Sequence, residues 1–376
     1  MKGSLFIGKV SGIKIFIHWT FILLIAWIVM DNILEKKNTV DVFYTLAFIL
    51  AIFFFVTLHE LGHALTAKYF HYSTKDITLL PIGGMARMDE IPENPKHELL
   101  VALAGPAVNI IVAILLYPLI YWFGKIPTFF TILFDSAGTL LYNLFLVNLL
   151  LAFFNLIPAF PMDGGRVFRA ALSYVTDRVK ATAIAARTGQ VIAIIFFSAG
   201  FFFNPMLSFA GIFIFLMAQT ENDYVRSKSF LHDYKVKDVL IRNYFFLDVF
   251  DTVSDAVKLL LDTQAKDFLI MEKGHVVGTL DRDRIIHLLS EKGKEAPLVT
   301  AMNTKLKFLS PEMPLDKVFL EFKTSRNEMY PVLENNKLIG IVDLNNILEL
   351  MLVKTVAEKN PAIVQKNTFD LESATV

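Results

Sequence analysis

The stretch FFFVTLHELGHALTAKYF, residues 53–70, limits what this chain can fold into more than any other segment. It sets His59, Glu60 and His63 inside a run otherwise apolar enough to cross a bilayer. Ionisable groups are expensive in lipid, so those that are kept there face a protein interior or a wet cavity and have a function. A helix needs about 20 apolar residues to span the hydrocarbon core, and about six segments approach that length. They are residues 15–30, 42–67, 99–123, 137–160, 185–203 and 205–219, the last two separated by Asn204-Pro205. Charge is sparse up to residue 221 and dense after it, so the pattern predicts a polytopic α-helical membrane domain fused to a soluble one. The apolar N-terminal stretch lacks a small-residue cleavage site and reads as a retained span, not a signal peptide.

Lys and Arg in the short loops set the expected orientation. With the N-terminus inside, one side collects Lys2, Lys9, Lys14, Lys68, Lys75, Arg87, Lys96, Arg166, Arg169, Arg178, Lys180 and Arg187; the other keeps Lys36, Lys37 and Lys125. Both termini are therefore expected in the cytoplasm. His59 would then lie roughly 12 Å deep, at 1.5 Å per residue. A net charge of +0 argues against a nucleic-acid partner. The absence of cysteine excludes disulfides, thiol catalysis and thiolate-bound metal.

His59 and His63 are spaced i, i+4 and project from one face of a helix, where both can bind one metal ion. Glu60 follows directly, placed to take a proton from a water that the metal activates. This is the HExxH pattern of zinc hydrolases, in which a third protein ligand completes the site. The alternative is a pair of buried histidines bonded to helix backbone. His18, His71 and His97 are weaker ligand candidates, at an interface or in a polar segment. NLIPAFPMDGGR, residues 155–166, is stronger. Pro158 and Pro161 break the helix, and broken backbone at membrane depth is tolerated where protein buries it or it lines a wet cavity. Asp163 sits in that break and is either a carboxylate ligand or the cap of the next helix.

HELGH on one span paired with NLIPAFPMDGG at the end of another resembles the site-2 protease family of intramembrane zinc metalloproteases. GKVSGIKIFIHWT, ITLLPIGGMARM and AGPAVN fit the same family. The resemblance implies one zinc ion per chain, held by His59, His63 and Asp163, with Glu60 as general base. It implies that Asn155 helps to hold the substrate or the oxyanion. It also implies that residues 77–88 form a membrane-associated β-hairpin, where Gly83 and Gly84 meet an unwound substrate strand. The implied activity is endoproteolysis within or near transmembrane segments of membrane-bound proteins, in regulated intramembrane proteolysis, and the implied location is a prokaryotic cell membrane. The rival class is a non-enzymatic transporter, which also places ionisable residues in broken helices. In AGPAVN, Gly105 and Ala107 suit close helix packing, and Asn109 suits a hydrogen bond across helices, without a catalytic role.

Beyond residue 234 a unit repeats at roughly 60 to 65 residues. FLIMEKGHVVGTLD and YPVLENNKLIGIVD resemble the closing strands of CBS domains, an α/β fold that pairs and often binds adenine nucleotides. The family's hydroxyl and aspartate positions hold Asp281 and Arg284, then Asp343 and Asn346. Carboxylates there would repel phosphate, so a docking or regulatory role is expected ahead of nucleotide binding, with homo-oligomer contacts through the CBS pair. The expected organisation is a protease domain at 1–222, a linker at 223–233, CBS domains at 234–295 and 296–356, and an irregular tail at 357–376.

Overall fold

The computed structural model describes residues 3–81, 83–88, 92–123, 137–263, 265–325 and 329–359. The chain divides into two compact units, Met1–Val225 and Arg226–Val376. The expected tail lies largely beyond residue 359, outside the described residues.

The first unit opens with β1 (Ser4–Val10) and β2 (Ile13–His18), followed by α1 (Thr20–Leu34) and α2 (Thr39–Tyr69). β3 (Thr74–Leu80) and β4 (Gly83–Met88) come next, then α3 (Pro95–Phe123), α4 (Ala137–Asn155), α5 (Asp163–Leu172), α6 (Arg178–Phe202) and α7 (Pro205–His232). The hairpin expected at 77–88 is present as β3 and β4, but it belongs to a four-stranded sheet in the order β1-β2-β3-β4. β2 pairs with β3 in parallel, Ile15 opposite Ile77 and Ile17 opposite Leu79. This corrects the first expected span, 15–30. Its opening residues alternate as IKIFIH, a strand period, and Ser11 and Gly12 at φ 50° and 94° supply the tight turn before them. The helix starts only at Thr20.

Ile13, Ile15, Ile77 and Leu79 lie on one sheet face and pack with Leu61 and Ala64 of α2. The sheet is thereby fixed to the histidine-bearing helix. Asn38 begins that helix, its Oδ1 accepting from Asp41 N at 2.9 Å. Its 31 residues extend about 46 Å at 1.5 Å per residue.

Among the described residues three helices are long and apolar enough to cross a membrane: α2, α3 over Pro95–Trp122, and α6. α1 and Thr139–Asn155 of α4 are apolar but shorter. α7 stays helical to His232, through most of the expected linker. The break between α4 and α5 holds the two prolines, and Ala159, Phe160 and Met162 in it are buried. A Cβ on Gly164 would lie 2.3 Å from Ile157 O, and one on Gly165 2.7 Å from Ala159 C. Glycine at both positions lets α5 turn back tightly onto the segment that precedes it.

The second unit contains the predicted repeat. β5 (Phe246–Asp248), α8 (Val253–Thr263), β6 (Asp267–Glu272), β7 (His275–Asp281) and α9 (Arg282–Lys292) form the first half. α10 (Leu315–Thr324), β8 (Met329–Glu334), β9 (Lys337–Asp343) and α11 (Leu344–Lys359) form the second. The hairpins share a register, Ile270 opposite Gly278 and Val332 opposite Gly340, each with an irregularity one residue on. Each half has its own core: Phe268, Ile270, Leu280, Ile285 and Leu298 in one, Leu315, Tyr330, Val332, Val342 and Ile347 in the other.

Candidate metal centre

α2 brings His59 and His63 to one face, and the start of α5 brings Asp163 to meet them. The two Nε2 atoms are 3.1 Å apart, and Asp163 Oδ2 lies 3.2 Å from His59 Nε2 and 3.1 Å from His63 Nε2. All three residues are buried. With metal–ligand bonds of about 2.0–2.2 Å, a tetrahedral ion needs ligand atoms about 3.3–3.6 Å apart. The observed edges, 3.1–3.2 Å, are 0.1–0.2 Å shorter than the lower end of that range, so a small outward shift of the three side chains fits a zinc ion and leaves the fourth position for water or substrate.

The outer ring nitrogens are fixed from α3. His63 Nδ1 lies 2.7 Å from Val101 O, and His59 Nδ1 lies 2.8 Å from Asn109 Oδ1. A carbonyl oxygen only accepts, so the proton is on Nδ1 of His63 and its Nε2 lone pair points to the shared centre. Asn109 Oδ1 selects the same tautomer for His59, the usual support for metal-binding imidazoles. α3 also approaches the ligands through Gly105. A Cβ there would stand 2.2 Å from His63 Nε2 and 2.6 Å from His59 Nε2. We expect Gly105→Ala to displace both rings and weaken zinc binding at least tenfold, read by competition against a chromogenic chelator. Wild-type affinity in that variant would show that the rings do not need this clearance.

Asp163 is the first residue of α5, while Met162 holds the cap position without a side-chain cap bond. Its carboxylate is directed to the histidines, an arrangement that fits the ligand role and not the cap. Glu60 stands outside the ligand set, and its side chain lies against Gly84. A Cβ on Gly84 would fall 2.6 Å from Glu60 Cγ. Gly83, at φ 137°, begins β4 with nothing within 4 Å of an added Cβ. The structure thus brings Gly84 to the prospective base and leaves Gly83 open. Asn155 is not brought into the triad's hydrogen bonds: its Nδ2 donates to Leu151 O in its own helix at 3.0 Å.

The weaker histidine candidates stand apart from the cluster. His18 Nδ1 is 2.8 Å from Thr20 Oγ1. His71 is exposed, and His97 is partly exposed with its ring stacked on Phe70 at 4.2 Å. Sequence reasoning missed Val101 altogether, and it gave Gly105 a close-packing role and Asn109 a cross-helix hydrogen bond without tying either to the histidines. The spacing of these three residues was a usable signal: i, i+4, i+8 puts all three on one face of α3, matching the i, i+4 step of the histidines.

The model of peptidase family M50 matches residues 47–196, and the CBS domain model matches 236–291 and 298–353. Among similar proteins is zinc metalloprotease MJ0392 of Methanocaldococcus jannaschii, 34% identical over 366 residues, covering 96% of this chain and 99% of that one. Stage IV sporulation protein FB of Bacillus subtilis is 28% identical over 198 residues, 52% of this chain and 64% of that one. The solved structure of a site-2 protease from Methanocaldococcus jannaschii aligns with 37% identity and a TM-score of 0.43, covering 58% of this chain and 95% of that chain.

Proposed function

Because this chain belongs to peptidase family M50, the site-2 protease family of zinc metalloproteases, we propose that His59, His63 and Asp163 hold its zinc ion and that Glu60 is its general base. The protein is an enzyme of this class and carries a tandem CBS pair. We further read it as an integral, multi-pass protein of a prokaryotic cell membrane with about six spans. On this reading both termini and the CBS pair are cytoplasmic, and the domain limits are 1–222, 234–295 and 296–356. The observation that carries the active-site assignment is the buried triad, whose ligand atoms all lie within 4.8 Å of one another. Two of its members sit on a helix long and apolar enough to cross a membrane.

Held by His59, His63 and Asp163, a zinc ion would supply a Lewis acid for the scissile carbonyl and for a water nucleophile near neutral pH. Glu60 takes the proton of the attacking water and returns it to the leaving amine. Asn155 supplies an amide donor to the substrate or the oxyanion once its bond to Leu151 O is released. A transmembrane helix hides its peptide bonds in its own hydrogen-bond ladder and must unwind before it is cut. The edge position of β4 supports strand addition by the unwound segment, which satisfies the freed backbone groups. The close approach of Gly84 to Glu60 puts that edge beside the base.

The substrate class is a membrane-bound protein in regulated intramembrane proteolysis, cut within or near its transmembrane segment. The test reconstitutes the protein in vesicles with a single-span substrate and maps the products by mass spectrometry. Cuts at or next to the span are expected; cuts confined to remote soluble loops would refute this reading.

We read the CBS pair as a docking or regulatory module that also favours homo-oligomers, and not as a nucleotide sensor. Asp281 Oδ1 accepts from Arg284 N at 2.8 Å, and Asp281 Oδ2 is 2.9 Å from Arg284 Nε. Asp343 Oδ1 accepts from Asn346 N at 2.7 Å, and Asn346 Nδ2 donates to Val239 O at 2.7 Å. Asp281 and Asp343 are thus engaged in capping their own helices, while Arg284 pairs with Asp281 and Asn346 is held to Val239 O. Carboxylates, being acceptors only, also repel phosphate. Calorimetry with ATP and AMP should give affinities weaker than micromolar, and deletion of residues 234–376 should alter cleavage of a full-length substrate more than of a short transmembrane peptide. Micromolar or tighter binding would restore the sensor role.

A further inference from the structure

The ligands come from two helices that do not pack closely on each other. α2 and α5 each pack extensively on α3 instead. α3 therefore acts as the template, orienting the histidines through Val101 O and Asn109, and the carboxylate ligand must be registered against the same helix. One side chain is built for that task. Arg169 lies on α5, is fully buried, and donates from Nε to Glu98 Oε1 at 2.9 Å, with a second contact from NH2 to the same oxygen. Glu98 is itself buried, in the first turn of α3, three residues before Val101.

The other arm of the guanidinium, NH1, reaches Glu221 Oε1 on α7 at 2.5 Å. Its Cζ lies 5.0 Å from the ring centroid of Phe160, in the segment leading to Asp163. Arg178, at the start of α6, completes the cluster through NH1 to Glu98 Oε2 at 3.0 Å. Two cations and two carboxylates thus balance. A buried arginine is tolerated only when paired and hydrogen-bonded, and its planar fork constrains direction as well as distance.

We propose that Arg169 is a positioning residue that, through Glu98, sets Asp163 in register with the two-histidine face of α2. The proposal rests on the reading of His59, His63 and Asp163 as the zinc ligands. Arg169 touches no ligand; it acts through the placement of α5 and of the segment at Phe160. A lysine in its place keeps the charge but loses the fork, so it cannot hold Glu98 and Glu221 together in the same geometry.

The test uses the full chain in detergent and compares wild type, Arg169→Lys, Glu98→Gln, Glu221→Gln and Asp163→Ala. Zinc affinity is read by chelator competition, ligand geometry by the visible spectrum of the cobalt-loaded protein, and folding by the melting temperature of the metal-free protein. We expect Arg169→Lys and Glu98→Gln to weaken zinc about 10- to 100-fold, the range for losing an outer support of a metal site. Both should change the cobalt spectrum, and Glu221→Gln should stay within a few-fold of wild type. A lowered melting temperature with wild-type zinc affinity and spectrum in Arg169→Lys would overturn the proposal and leave a purely structural ion cluster. Should Arg169→Lys fail to fold, Glu98→Gln, which keeps shape and acceptor, decides by the same criteria. Unchanged zinc affinity in Asp163→Ala would instead remove the underlying ligand assignment.

Discussion

Glu60→Gln should abolish proteolysis while zinc stays bound. Glutamine keeps the size of the side chain and its place against Gly84, but it cannot take up a proton at neutral pH. The proposed ligands are His59, His63 and Asp163, so the change leaves the protein contacts of the proposed zinc site alone. General acid–base catalysis typically contributes roughly 10² to 10⁴-fold, and the rate should fall by at least that much. Metal analysis and single-turnover cleavage on the same preparation check both halves. Because binding survives, the inactive variant should also retain its substrates, and the membrane proteins that co-purify with it would name them. Substantial cleavage by Glu60→Gln would count decisively against the assignment.

Asp163→Ala should lose both zinc and activity. The carboxylate is the one proposed ligand on α5, and Oδ2 stands within 3.2 Å of both imidazole nitrogens. Loss of an outer support costs a metal site about 10- to 100-fold in affinity, and loss of a ligand should exceed that. A carboxylate that merely capped α5 would cost only about 1 kcal/mol of helix stability on removal. Zinc titration and thermal unfolding separate the two cases. Unchanged affinity with a slightly lowered melting temperature would mean that another residue completes the site.

The chemistry of the metal centre was legible in the sequence because it is written locally. The i, i+4 step of His59 and His63 follows from helical period alone, and Pro158, Pro161 and the glycine pair mark the break that exposes Asp163. The CBS repeat was legible for the same reason, as strand-turn-strand-helix patterns recurring along the chain. What the sequence left open was everything that depends on a partner far away in the chain. IKIFIH reads as the start of a span until β3 offers it a parallel edge, and then its two-residue period makes it a strand. Asp163 could have been a cap or a ligand, and only the meeting of α5 with α2 directs its carboxylate to the histidines. Asn109 suited a hydrogen bond across helices, but that its partner is a ring 50 positions earlier leaves no local trace. Arg169 counted as one more loop charge until Glu98 and Glu221 were found around it. Local periodicity fixes which side chains a helix presents. Whether a buried polar group becomes a ligand, a support or an ion pair is decided by the neighbours that satisfy it, and those arrive only when the helices pack.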